Sequence, residues 1–411
     1  MRRTNNQDSH TVVLADSVET FAQRGHFFIV ADGMGGHAGG EIASKQAAES
    51  IPHLYHKYRD LAPPEALLKA IQEANSDVHK RGTANLDFRD MGTTATSFVL
   101  LPQGALAGHI GDSRLYRLRG DSLRQLTFDH SVDWELRAAG HIQEGSELAA
   151  MVPKNQITRS LGPNPTVQVD LEGPYPLEVG DTFLACSDGL VRKVEDDEIA
   201  AILAALPPNE AAQALIDLAN LRGGPDNITI IIAKVVGPEM ATPANSAPLA
   251  LQSGAKPKPV NPAFWLVPVV CFLAGIVLAL SQQLIAGAVA AAGGLVGLGI
   301  ALSQGGVAAG RQLGAGQRLG RGPYTETKLS GKKEFLEKLF QTTEQLRTAA
   351  TEGRWSINWA KFDQLRHAAE EAHKKGEWQP AVRDATRAIS YLFNELRHQQ
   401  EKKASDSTIE Y

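Results

Sequence analysis

Residues 1–237 predict an α+β layered sandwich, followed by a two-span apolar hairpin and an all-α C-terminal domain. Three observations carry that reading. In the front part, short β-prone apolar runs come in groups, with amphipathic stretches in pairs between them. That is the pattern of layered sheets and helices rather than of alternating βαβ units. Between residues 263 and 310 no Asp, Glu, Lys or Arg occurs. From Tyr324 onward, apolar residues recur at helical spacing.

A chain of 411 residues exceeds one ordinary core, so several domains are expected. Composition divides it into a globular front domain at 1–237, a Pro- and Ala-rich linker at 238–262, and the apolar hairpin at 263–303. A Gly- and Arg-rich linker at 304–323 and a helical domain at 324–411 complete it. The front domain carries 31 acidic against 21 basic residues, a net of −10, which argues against a nucleic-acid surface. Cys186 and Cys271 stand in no disulfide or zinc pattern. The opening Met-Arg-Arg-Thr-Asn-Asn-Gln-Asp has no apolar stretch behind its charges, so no secretory signal is expected and the front domain is expected in the cytosol.

Strands are predicted at 12–14, 27–31, 92–101, 105–110, 114–118 and 181–187, with a closing strand inside 226–236. Gly120-Asp121 is a hairpin turn. Helices are predicted at 41–58, 64–80, 129–139, 196–206 and 209–221, and the irregular polar segment 144–155 is a mobile flap. The apolar runs 263–280 and 284–303 are each long enough for a marginal membrane span. Lys256 and Lys258 flank the first, and Arg311, Arg318 and Arg321 the second, so both ends are expected on the cytoplasmic side. One long tilted helix is the alternative. In the tail, Phe335, Leu336, Leu339 and Phe340 form one stripe, Phe362, Leu365, Ala369 and Ala372 another, and Trp378, Ala381, Val382, Ala385, Ile389, Leu392 and Leu396 a third. Residues 376–389 resemble the second helix of a tetratricopeptide repeat, but a single copy favours a small helical bundle.

The chemistry centres on 26–41, a buried strand followed by Asp32-Gly33 and a glycine-rich turn. A carboxylate at a strand end can reach a hard cation, and glycine lets the backbone turn so that a carbonyl joins it. Gly33, Gly35 and Ala38 also fit a dinucleotide fingerprint, but Asp32 would repel a pyrophosphate and no acidic residue follows at the required distance. Residues 3–8, Gly92-Thr93-Thr94, Gly111-Asp112-Ser113-Arg114, Ser187-Asp188-Gly189 and Gly224-Pro225-Asp226-Asn227 each place polar groups at a predicted strand boundary. One such motif is an ordinary turn. Together, Asp8, Asp32, Asp112, Asp188 and Asp226 make an all-oxygen site suited to Mg²⁺ or Mn²⁺.

In this order the motifs resemble the metal-dependent PPM family of Ser/Thr protein phosphatases, the type 2C class, and specifically its bacterial membrane-anchored members, from about Arg3 to Val236. The resemblance implies a four-layer αββα sandwich phosphatase domain with a metal pair in a cleft at one edge. Position by position, it implies that Asp32 bridges two ions, that the Gly33 carbonyl completes one shell, and that Asp8, Asp188 and Asp226 supply further ligands. Asp112 matches an acid that helps hold a third, weaker ion, and Arg3 matches the phosphate-binding arginine. Thr93 is then a supporting residue, and His109 and His130 are structural or flap residues.

In the reaction so implied, water activated between the ions attacks phosphorus in line. His37 is a candidate donor of the leaving group's proton, although the Gly-Met-Gly-Gly-His insert is longer than its match, and a water on a metal can serve instead. The expected activity is a membrane-tethered cytosolic phosphoSer/phosphoThr phosphatase opposing a Ser/Thr kinase. A catalytically silent scaffold recruiting partners through the tail is the alternative. The basic segment 191–194 departs from the family pattern near the metals and bears on substrate choice.

Overall fold

The computed structural model describes residues 5–35, 39–143, 145–153, 156–246, 249, 281, 317–329 and 332–407. Two compact units divide the chain: Met1–Tyr58, Ala66–Ala247 and Gly316–Tyr411 form one, and Arg59–Glu65 with Pro248–Ala315 the other. The predicted hairpin, Ser281 apart, lies outside the described residues, as do Arg3 and His37. Among the described residues, no helix is long and apolar enough to cross a membrane.

Two antiparallel sheets make the centre of the first unit. One contains β1 (Asp8–Val13), β2 (His26–Met34), β3 (Gly92–Thr93), β4 (Ala95–Leu101), β5 (Gly104–Ile110) and β8 (Asp170–Tyr175). Its order is β1-β2-β4-β5-β8, with β3 paired to the end of β2. The other contains β6 (Arg114–Arg119), β7 (Ser122–Gln125), β9 (Thr182–Cys186), β10 (Ile230–Lys234) and β11 (Thr325–Lys328), in the order β10-β9-β6-β7-β11.

Strand alternation explains why the sheets stack. Along β9, Phe183 and Ala185 face the other sheet while Leu184 and Cys186 join the cluster beneath the helices. On β2, Phe28 and Val30 take the inter-sheet side, where the Phe28 and Phe98 rings stack 4.6 Å apart. Phe27 faces the other way, with its ring 5.3 Å from that of Tyr55 on α2 (Gly39–Lys57). α3 (Pro63–Ala84) covers the same sheet, bringing Leu67 and Ile71 over Gly108 of β5. α7 (Asp196–Ala205) and α8 (Pro208–Leu221) cover the second sheet. The helix ends follow local chemistry. Ser17 caps α1 (Val18–Arg24), and Ser131 caps α4 (Val132–Ala138). A Glu195–Glu198 capping box opens α7. The flap segment contains α5 (Glu147–Met151), and α6 (Asp188–Val191) follows β9 directly.

The tail differs from its sequence reading. Thr325–Lys328 is a strand that extends the second sheet by pairing with β7, not the start of a helical domain. Four residues are too few for a period to show, and what selects the strand is the free edge of β7. Three helices follow: α9 (Lys332–Glu352), α10 (Trp359–Lys374) and α11 (Trp378–Ser407). Their apolar stripes pair partly with each other and partly with the front domain. Phe335, Leu339, Val382 and Ile389 share one cluster with Leu203, Leu206 and Leu215 of α7, α8 and their connection. Arg387 of α11 donates to both carboxylate oxygens of Glu210, at 2.7 and 2.8 Å. The helical layer outside the second sheet is therefore built from two separated stretches of chain.

Candidate active site

Five stretches converge at one end of the sandwich. Asp8, at the start of β1, is the register partner of Asp32 on β2, which continues through Asp32 and Gly33 rather than ending before them. Asp112 stands in the short crossing from β5 in the first sheet to β6 in the second. Asp188 begins α6 directly after β9, and Asp226 precedes β10. Side-chain hydrogen bonds tie these stretches together, within the first sheet and between the two. Ser187 donates to Asp8 Oδ2 at 2.7 Å and accepts the Thr229 backbone N–H at 2.9 Å. Thr94 Oγ1 accepts the Asp32 N–H at 2.9 Å, and Thr93 Oγ1 donates to the Asp32 carbonyl at 2.9 Å. Asn227 Oδ1 accepts the Gln7 N–H at 3.0 Å, which ties the start of β1 to the Asp226 loop.

Gly33 is required by contact. A Cβ there would lie 2.1 Å from the Gly40 carbonyl and 2.5 Å from that of Gln7, so no side chain fits between β1 and the start of α2.

The electrostatics are those of carboxylates crowded without enough counter-charge. Burial, then the charges of Asp8, Asp188, Asp112 and Asp226, hold the Asp32 carboxyl well above its ordinary range. Burial, with Asp188 next, pushes Asp112 up to about 7. Asp188 is pushed up to about 6, chiefly by burial, although Arg192 opposes the shift. Burial also raises Asp8.

Asp8, Asp112 and Asp188 are buried, and each keeps an Oδ1 with no hydrogen-bond partner. Buried carboxylate oxygens of that kind are expensive unless something else satisfies them. Among the described residues, no three acidic, His or Cys side chains converge, as placed, tightly enough to hold one ion. The Arg192 guanidinium pairs with Asp188 and lies 4.0 Å from Asp226. The donor set still fits a hard divalent cation, because it is all oxygen and because Asp8, Asp112 and Asp188 are buried with an oxygen short of partners. The fit requires Asp188 to turn from Arg192 to the ion.

Sequence reasoning singled out 191–194 only as basic, because it did not read the segment after β9 as a helix, in which the i,i+4 spacing brings Arg192 back onto Asp188. It also missed Ser187 as the link between sheets. His109 and His130 are buried structural groups, as expected. His109 bonds Thr96 Oγ1 and the Phe128 carbonyl, each at 2.9 Å, while His130 bonds Asp170 at 3.0 Å and accepts the Gly111 N–H at 3.0 Å. Burial, then the neighbouring His130, lowers the His109 pKa to about 3, so its imidazole is neutral.

The sequence profile of the family "Protein phosphatase 2C" matches residues 2–218. The chain belongs to that family. The serine/threonine phosphatase stp of Listeria innocua is 37% identical over 212 residues, covering 50% of this chain and 83% of its own. Protein phosphatase PhpP of Streptococcus pneumoniae is 35% identical over 240 residues, covering 57% and 93%. Among solved structures, the Mycobacterium tuberculosis serine/threonine phosphatase PstP/Ppp aligns with a TM-score of 0.50 and 34% identity, over 58% of this chain and 95% of its own. This protein phosphatase 2C is accordingly a serine/threonine protein phosphatase. The matched regions leave the C-terminal helical segment outside the family profile.

Proposed function

We propose that the five aspartates hold two divalent cations, Mg²⁺ or Mn²⁺, with Asp32 shared between them. In this reading the Gly33 carbonyl, Asp8, Asp188 and Asp226 complete their surroundings, and Asp112 assists a third, weaker ion. The observation that supports it is the gathering of under-bonded, mutually repelling carboxylates from both sheets at one end of the sandwich. When bound, the cations activate water for in-line attack on phosphorus and neutralise charge on the phosphoryl oxygens. The chain's own residues fix the geometry: Thr93 and Thr94 hold the Asp32 backbone and Ser187 orients Asp8, while Arg192, paired with Asp188, would release it to a bound ion. Arg3 is assigned to grip the phosphate, and His37 is one donor of the leaving alkoxide's proton. Substrates are phosphoSer and phosphoThr proteins, including those of a cognate Ser/Thr kinase.

The uncharged segment 263–303 anchors the protein in the membrane as a hairpin, with the phosphatase unit and the tail on the cytoplasmic side. Tethering raises the effective concentration of targets on the same membrane. The test of the chemistry is phosphate release from a phosphothreonine peptide by the full chain with Mn²⁺, with Mg²⁺ and with chelator. Release in chelator equal to that with Mn²⁺ would overturn the metal reading. A reporter fused after Tyr411 should resist labelling from outside intact cells, and labelling there would refute the hairpin.

A further inference from the structure

Beside the aspartates lies a cleft of about 1010 Å³ lined from the stretch Asp112 to Asp196 and from Tyr324, Thr325 and Thr327. Asp112 and Asp188 line it, and so do Phe128, Trp134 and Tyr324. The three rings form a contiguous aromatic surface. Phe128 meets Trp134 at 5.5 Å and 90°, and Tyr324 at 5.4 Å and 64°. Tyr324 lies beyond the residues matched by the family profile.

Its ring is held rigidly. Glu172 on β8, buried, accepts the Tyr324 hydroxyl at 2.5 Å, the Gly322 N–H at 3.0 Å and the Tyr175 hydroxyl at 3.1 Å. The Tyr324 N–H donates to the Gln125 carbonyl at 2.8 Å. A Cβ at Gly320 would lie 2.1 Å from the Glu172 carboxylate, so glycine is needed for the segment to pass. A ring fixed in this way loses little freedom on meeting a ligand.

We propose that Tyr324 is a specificity-determining residue: with Phe128 and Trp134 it receives an apolar or aromatic side chain next to the phosphorylated residue of the substrate. The proposal rests on the reading of the five aspartates as the reaction centre, and the cleft is continuous with that centre through Asp112 and Asp188. Away from Arg192 and the metal end, the arginines lining it are already matched, Arg114 by Asp129 and Arg137 by Asp133, so that part of the cleft does not call for a second anionic group. What it offers beyond the metal end is aromatic surface. Its volume accommodates a phosphorylated side chain with a neighbouring residue.

The test uses the full chain with Mn²⁺ and compares two phosphothreonine peptides, with Phe or Ala beside the phosphothreonine, against p-nitrophenyl phosphate. Wild-type protein should favour the Phe peptide about three- to tenfold in kcat/KM, the range expected of one aromatic contact. Tyr324→Ala should abolish that preference, lowering kcat/KM for the Phe peptide to that for the Ala peptide, mostly through KM. Tyr324→Phe, which keeps the ring and loses the hydroxyl, should retain it. No preference in the wild type, or equal loss on all three substrates in Tyr324→Ala, would overturn the assignment. Failure of the wild type to hydrolyse p-nitrophenyl phosphate with Mn²⁺ would instead bring down the underlying reading, and this inference with it.

Discussion

Replacing Ile389 by alanine tests whether the C-terminal helices and the phosphatase fold share one core. Ile389 on α11 is 2% exposed and belongs to the cluster that includes Leu203, Leu206 and Leu215. Truncating a buried isoleucine costs about 2–5 kcal/mol, from lost transfer free energy and the cavity left behind. Taking about 3 kcal/mol and a urea dependence of about 3 kcal/mol per M, at the upper end for small proteins, the unfolding midpoint should fall by about 1 M. Two probes should be followed in urea with Mn²⁺ present: far-UV circular dichroism, which reports the helices, and hydrolysis of p-nitrophenyl phosphate, which reports the site. In a shared core both midpoints move together. If the activity midpoint stays in place while the dichroism shifts, the tail unfolds by itself and the shared-core reasoning is wrong. For the same reason, residues 1–237 alone should unfold at a lower urea concentration than the full chain, because removing the tail bares the apolar faces of α7 and α8.

Asp32→Asn should lower turnover by about 10²–10³-fold or more while the circular dichroism spectrum is kept; near-normal activity in the folded variant would show that the shared ligand lies elsewhere. Ser187→Ala removes the hydroxyl that orients Asp8, and should raise the Mn²⁺ concentration for half-maximal activity about 10–100-fold. An unchanged Mn²⁺ titration would count against that role. Because His109 titrates near 3 when folded and near 6.5 when unfolded, the unfolded chain binds the extra proton below pH 6.5. Its contribution to stability is present above that pH and is lost as pH falls toward 3, about 2–3 kcal/mol of it by pH 4.5. Urea unfolding at pH 7 and 4.5 should show a shallower dependence in His109→Gln, and the same slope in both proteins would refute the assignment.

Most of the front domain was legible because its signals are local. Phe27 to Ala31 are β-prone and apolar, Asp-Gly pairs mark strand boundaries, and proline opens helices, so the elements and the five aspartates could be placed from the sequence. Motif order then gave the family, which the profile match bears out. The strands β8 and β11 were missed because Glu172-Gly173-Pro174 and the four residues of β11 are too short or too glycine- and proline-marked to show a period.

By itself, the sequence determined which residues are carboxylates, which stretches alternate and which repeat at helical spacing, because these depend on side-chain identity and near neighbours. Only the tertiary structure decided that Ser187 joins Asp8 to the second sheet and that Tyr324 reaches a cleft shared with Asp112. Each of these joins groups by burial and edge pairing in the folded chain. Ser187 and Asp8 are separated by 179 positions, and Tyr324 and Glu172 by 152, and no local pattern records such a meeting.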